Sequence, residues 1–161
     1  MTRKLEELTP KEVLALAISI EQSNGKALHN FAEMFDGYDQ EVSKNFEEMS
    51  VEEGHHEQLL LQKFKKLFKG PIPEITNFDV EEVVEAIDLD DSEHLIFDSL
   101  KAKQVYQLAY EAEKRARSFY EKAMKTVKNK ELASLFKELA EMEGDHATWL
   151  EIKIKLENKI K

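Results

Sequence analysis

A chain of 161 residues with 42% hydrophobic content is expected to form one domain with a sizeable core. It contains no cysteine, which excludes disulfides, iron–sulfur clusters, zinc ribbons and thiol catalysis, and leaves only nitrogen and oxygen to ligate a metal. A formal charge of -10 argues against nucleic acid or an anionic membrane as partner, and no apolar run suits a bilayer span or a signal peptide, so a soluble cytoplasmic protein is expected.

Thr9-Pro10-Lys11-Glu12 is a capping box with proline at the first helical position, so a helix should start at about Pro10 and run to about Phe35. Asp36-Gly37-Tyr38-Asp39 breaks it, and a second helix should cover roughly Gln40 to Lys69 before Gly70-Pro71-Ile72-Pro73. Residues 70–98 read as a crossover, with a short helix near Asp79 to Ile87 and the acidic run Asp88-Leu89-Asp90-Asp91. Roughly 30 extended residues reach about 90 Å against about 40 to 45 Å for one long helix, so the crossover can return along the whole bundle. Helices should follow over about Ser99 to Val127 and about Glu131 to Glu157, joined at Lys128-Asn129-Lys130. The fold class is therefore all-α, an up-down four-helix bundle of two helical hairpins.

The hairpins repeat one another. Val13-Leu14-Ala15-Leu16-Ala17 to Glu21 matches Val105-Tyr106-Gln107-Leu108-Ala109 to Glu113, and Phe46 to His56 matches Phe136 to His146. Each half thus carries one helix with an inward Glu and one with Glu-x-x-His, as Glu53-Gly-His-His56 and Glu143-Gly-Asp-His146.

Helical periodicity selects among the many carboxylates. Glu21 shares a stripe with Val13, Ala17, Ile20, Leu28, Phe31 and Phe35, and Glu113 shares one with Val105, Ala109, Ala112, Ala116, Tyr120 and Ala123. Glu53 and His56 lie with Phe46, Met49, Leu60 and Phe64, and Glu143 and His146 lie with Phe136, Leu139 and Leu150. Glu52 falls at the edge of its stripe, whereas Glu111, His55 and Asp145 point outward. His29 and His94 fit no ligand pattern. Asn24 faces inward one turn past Glu21 and is a candidate to support the site; Tyr120 reads first as a core residue and alternatively as a hydrogen-bonding partner of the site.

The predicted metal ligands are therefore Glu21, Glu53, His56, Glu113, Glu143 and His146. A single Glu-x-x-His is common on acidic helices, but two copies, each paired with a stripe-embedded Glu, define a two-metal site. Four carboxylates carry about four negative charges, which two divalent ions cancel. Iron, manganese and zinc all suit such donors.

The segments Ala109-x-x-x-Glu113-x-x-Ala116-x-x-Phe119-Tyr120-x-x-Ala123 with Glu143-x-x-His146, and Ala17-x-x-x-Glu21 with Glu53-x-x-His56, resemble the ferritin-like di-iron carboxylate superfamily, most closely its rubrerythrin-type branch. That resemblance implies two iron ions, with Glu53 and Glu143 bridging, Glu21 and Glu113 terminal, and His56 and His146 on one iron each. It implies no catalytic residue beyond these ligands. The chain departs from the pattern in two ways. No four-cysteine rubredoxin domain is present, so electrons are expected from a separate donor protein. Ala116, beside Lys114 and Arg117, stands where many of these proteins carry a further Glu. The implied activity is reduction of peroxide or dioxygen, the alternatives being a ferroxidase or iron-handling protein and a non-redox metal-binding protein. A homodimer is the assembly expected with the peroxidase or oxidase role, and a shell of many subunits with storage.

Overall fold

The computed structural model describes residues 2–80 and 101–159. Helix α1 (Pro10–Phe35) starts at the predicted capping box, where the Glu12 N–H donates to Thr9 Oγ1 at 3.2 Å and the Thr9 N–H donates to Glu12 Oε1 at 3.1 Å. Such a cap is worth about 1 kcal/mol. Gly37 then takes φ 81, a left-handed conformation that lets the chain reverse, and Asp39 caps α2 (Gln40–Leu67) by accepting from the Val42 N–H at 3.2 Å.

The two helices run antiparallel, as the pairing of early with late positions requires. Ser43 Oγ donates to the Ala32 carbonyl at 2.7 Å and Ser50 Oγ to the Gly25 carbonyl at 2.8 Å. Helix α2 ends at Leu67, short of the expected Lys69, because Phe68 turns extended and Lys11 Nζ captures the Lys69 carbonyl at 2.8 Å. Gly70, at φ 91, completes the exit from the hairpin.

The chain then crosses beneath the N-terminus. The Arg3 N–H donates to the Asp79 carbonyl at 3.1 Å, and Leu5, Leu8, Ile75 and Val80 are buried together there. Of the short helix expected near Asp79, only a 3-10 turn over Asn77–Asp79 lies within the described residues, capped by Thr76, and Val80 is already extended. The rest of that segment, with Asp88 to Asp91 and His94, lies outside them.

Helix α3 (Ala102–Thr126) begins just after the predicted Ser99, and α4 (Lys130–Lys159) is capped by Asn129 Oδ1, which accepts from the Leu132 N–H at 2.9 Å. Helix α3 packs on α4 as α1 packs on α2. Cross-hairpin contacts fix the directions. Lys63 and Lys66 near the end of α2 hold Glu131 at the start of α4, and Tyr120, past the middle of α3, reaches Glu21, just before the middle of α1. The order is up, down, down, up, and all described regular structure is helical apart from 3-10 turns and a single bridge between Arg3 and Val80.

Two apolar clusters fill the bundle. One gathers Leu14, Leu16, Ile20, Leu60, Phe64, Phe119, Tyr120, Leu132 and Phe136; the other gathers Leu28, Phe31, Phe35, Phe46, Val105, Tyr106 and Leu150. Each such side chain contributes about 1.5–3 kcal/mol on burial. Between the clusters lies a polar layer of Glu21, Asn24, Glu53, His56, Glu113 and Glu143, none more than 4% exposed.

Candidate metal centre

Each helix delivers one station of this layer from near its middle. The i, i+3 spacing on α2 and on α4 places Glu53 below His56 and Glu143 below His146, while α1 and α3 bring Glu21 and Glu113 from the opposite wall. His56 Nδ1 stands 2.8 Å from Glu143 Oε1, 3.6 Å from Glu21 Oε2 and 3.9 Å from Glu53 Oε1. His146 Nδ1 stands 3.5 Å from Glu53 Oε1 and 3.6 Å from Glu113 Oε2. The two imidazoles lie nearly parallel, ring centres 5.7 Å apart.

Two groups of donors emerge, each with atoms within 4.8 Å of one another: Glu21, Glu53, His56 and Glu143, and Glu53, Glu113, Glu143 and His146. Glu53 and Glu143 belong to both, so they lie between the two positions an ion can take. All six predicted ligand residues are brought together.

Its own side chains satisfy this layer poorly. Both oxygens of Glu53 and of Glu143, one oxygen each of Glu21 and Glu113, and Nδ1 of His56 and of His146 are buried without a well-formed hydrogen bond. Burial, reinforced by the Glu143 charge, pushes Glu53 far above the usual carboxylate range, and burial with the Glu113 charge does the same to Glu143. Burial likewise raises Glu113 to about 7. Burial opposes charge on His56, yet its contacts with Glu143 and Glu21 hold it protonated up to about 9. Glu21 alone is lowered: burial opposes this, but hydrogen bonds from Glu53, His56 and Tyr120 prevail. Buried atoms that lack well-formed hydrogen bonds and carboxylates that cannot all ionise are what cations relieve, so the residues present fit a metal centre.

Tyr120, read first as core, is fully buried and also donates to Glu21 Oε1 at 2.5 Å. Tyr120 is thus both a core residue and a hydrogen-bonding partner, and its bond goes to Glu21 on α1 rather than to Glu113 of its own helix. Asn24 is buried one turn from Glu21. His55 and Asp145 are exposed, as their helix faces require, and His29 binds Glu47 at the surface at 2.9 Å. Glu111 accepts from Gln107 on its own helix at 3.1 Å.

Glu52, at the edge of its helix's apolar stripe, contacts His146 Nε2, the nitrogen turned away from the centre. Periodicity on α2 alone carries no sign of this. The signal is the antiparallel pairing of α2 with α4, which brings the residue before Glu53 level with His146. Glu52, Glu48, Asp145, Met49, Met142 and Trp149 line a cavity of about 540 Å³ that opens on the outer edges of His56 and His146.

A four-helix bundle with two inward Glu and two Glu-x-x-His stations offers the donor set of a carboxylate-type metal centre. The family pattern for rubrerythrin matches residues 12–152, and the chain belongs to the rubrerythrin family. Among solved structures it is similar to an uncharacterized conserved protein from Magnetospirillum magnetotacticum MS-1, with TM-score 0.75, 19% identity, and 92% of this chain and 95% of that one covered. It is also similar to a hypothetical protein from Pyrococcus furiosus, with TM-score 0.69, 22% identity, and 100% and 99% covered. Both likenesses concern the fold. No curated protein matches the chain. Among the described residues no helix is long and apolar enough to cross a membrane.

Proposed function

We propose that the chain is a di-iron carboxylate redox protein that reduces peroxide or dioxygen with electrons from a separate donor protein. The observation that carries this reading is the pair of overlapping donor groups sharing Glu53 and Glu143, with eight buried side-chain atoms that lack a well-formed hydrogen bond. Two iron ions held there would supply one-electron steps that together deliver the two electrons peroxide needs, with two protons, to become two waters. Dioxygen needs four of each.

The protein's own part is positional. Glu53 and Glu143 lie between the two ion positions, Glu21 and Glu113 close the outer sides, and His56 and His146 each offer Nδ1 to one position. The apolar clusters above and below exclude water, so the carboxylates act in a low-dielectric layer. The Tyr120 hydroxyl fixes one oxygen of Glu21 and leaves the other free to ligate.

A ferroxidase or iron-handling role is the second reading, favoured by the acidic mouth that Glu48, Glu52 and Asp145 give the cavity beside the histidines, which suits passage of ferrous ions. Elemental analysis of protein purified without oxygen, followed by mixing the reduced form with peroxide and separately with dioxygen, tests both. Two irons per chain oxidised faster by peroxide supports the first reading. Net uptake and retention of added ferrous iron beyond two per chain supports the second, and absence of iron or of oxidation sinks both.

A further inference from the structure

We propose that the two metal positions are inequivalent, and that Glu52 is the positioning residue which makes the His146 position the tighter one, filled first. This rests on the two-metal reading above.

The repeat makes the comparison internal. Because Glu53 matches Glu143 and His56 matches His146, Glu52 matches Met142. Glu52 on α2 contacts Nε2 of His146 on α4, while Nδ1 of His146 faces Glu53 and Glu113. A carboxylate on the outer nitrogen fixes ring orientation and tautomer and makes the inner nitrogen a stronger donor. At His56 the same place in the repeat belongs to a thioether. The carboxylate contacts of His56 run through Nδ1, and its outer edge lines the cavity beside Met142.

The rest of the layer differs in the same residue-by-residue way. Tyr120 holds Glu21 by a hydrogen bond, whereas its mate in the repeat, Leu28, offers Glu113 none. One position therefore has a constrained carboxylate and an unsupported imidazole, and the other a supported imidazole and a freer carboxylate. Outer partners of ligand histidines are worth about 10- to 100-fold in metal affinity. The imidazole side should decide the order of filling, because a hydroxyl donating to a ligand carboxylate withdraws charge from it, whereas a carboxylate behind an imidazole adds charge.

Cobalt(II), added in half-equivalents to the metal-free full chain, tests this without any turnover. The wild type should take up two ions, the first about tenfold or more tighter than the second. After one equivalent, a single paramagnetically shifted imidazole N–H resonance should exchange slowly with solvent, because Glu52 holds that proton. Glu52 has a side chain 53% exposed, so Glu52→Ala should fold normally. It should weaken the first step by about tenfold or more, leave two ions bound at saturation, and abolish the slow N–H resonance. Glu52→Gln, whose amide oxygen still accepts, should keep the resonance and lose most of the affinity gap. Equal affinities in the wild type overturn the inequivalence, and a Glu52→Ala protein with unchanged first step and N–H signal overturns the role of Glu52; both leave the two-metal reading intact. A wild type that binds fewer than two ions overturns the two-metal reading on which it rests.

Discussion

The Tyr120 hydroxyl on α3 donates to Glu21 Oε1 on α1 at 2.5 Å, crossing from one hairpin to the other inside a fully buried layer. Tyr120→Phe keeps the ring in its aromatic setting, 5.2 Å from Phe119 and 5.8 Å from Phe136 between ring centres, and removes only the donor. Losing a hydrogen bond to a buried charged group should lower unfolding free energy by about 1–3 kcal/mol, with ion content unchanged. Urea unfolding of the metal-loaded protein checks it. A difference below about 0.5 kcal/mol would show that the hydroxyl contributes little.

Glu143→Gln should separate the two roles of that carboxylate. Burial, reinforced by the charges of Glu113 and Glu21, makes ionising it costly, so the metal-free variant should be more stable than the metal-free wild type near neutral pH, by about 1 kcal/mol or more. It should also fail to gain from metal, whereas the wild type gains about 2.7 kcal/mol at a metal concentration a hundredfold above Kd. Glu53→Gln should behave alike, since the same forces act on it. Thermal melts with and without metal give both quantities, and a metal-dependent rise in Tm that survives in either variant argues against a shared bridging role.

Much of this architecture was legible in the sequence, for reasons that differ element by element. Thr9, Pro10 and Glu12 specify the start of α1 through local hydrogen bonds, and Gly37 and Gly70 mark reversals that need positive φ. Glu21 and Glu113 were separable from Glu111 because a glutamate inside an apolar stripe has nowhere else to point. What periodicity could not reach is whatever depends on which helix lies beside which. Glu52 and Tyr120 contact His146 and Glu21 on another helix, and a stripe drawn on one helix is blind to that. The end of α2 escaped for a similar reason, since it is Lys11, far away in sequence, that takes the Lys69 carbonyl.

Stability of the metal-free protein should fall as pH rises. Burial raises Glu113 from its ordinary 4.5 to about 7, so its contribution is fully present below 4.5 and lost as pH climbs through 7. Glu53 and Glu143 are raised further and carry the same sign to higher pH. His56, raised from 6.5 to about 9, likewise contributes below 6.5 and loses that contribution toward 9. Glu21, lowered, acts oppositely, and its window lies below 4.5. Metal displaces these protons, so stabilisation by added metal should grow over the same range. Melts of both forms from about pH 5 to about pH 8 should diverge, and parallel curves would contradict the assignment of these groups to one buried cluster.

The two glycines of the repeated motif should respond differently to alanine. Gly54 sits inside α2 with nothing within 4 Å of where a Cβ would stand, so Gly54→Ala removes only the entropic cost of glycine in a helix. It should stabilise the protein by about 0.5–1 kcal/mol and leave metal uptake intact. At Gly144 a Cβ would come 3.2 Å from Arg117 Nη1 and 3.4 Å from its Cδ. Arg117 also donates through Nε to Glu121 at 3.0 Å, so moving it disturbs a second contact. That pair is exposed and worth little on its own, so Gly144→Ala should still fold, with a smaller gain than Gly54→Ala or none. Urea unfolding of the two variants side by side gives the comparison. Equal gains would mean that the arginine yields freely and that neither glycine is needed for packing; a loss at Gly54 would mean that its open surface is covered in the assembled protein.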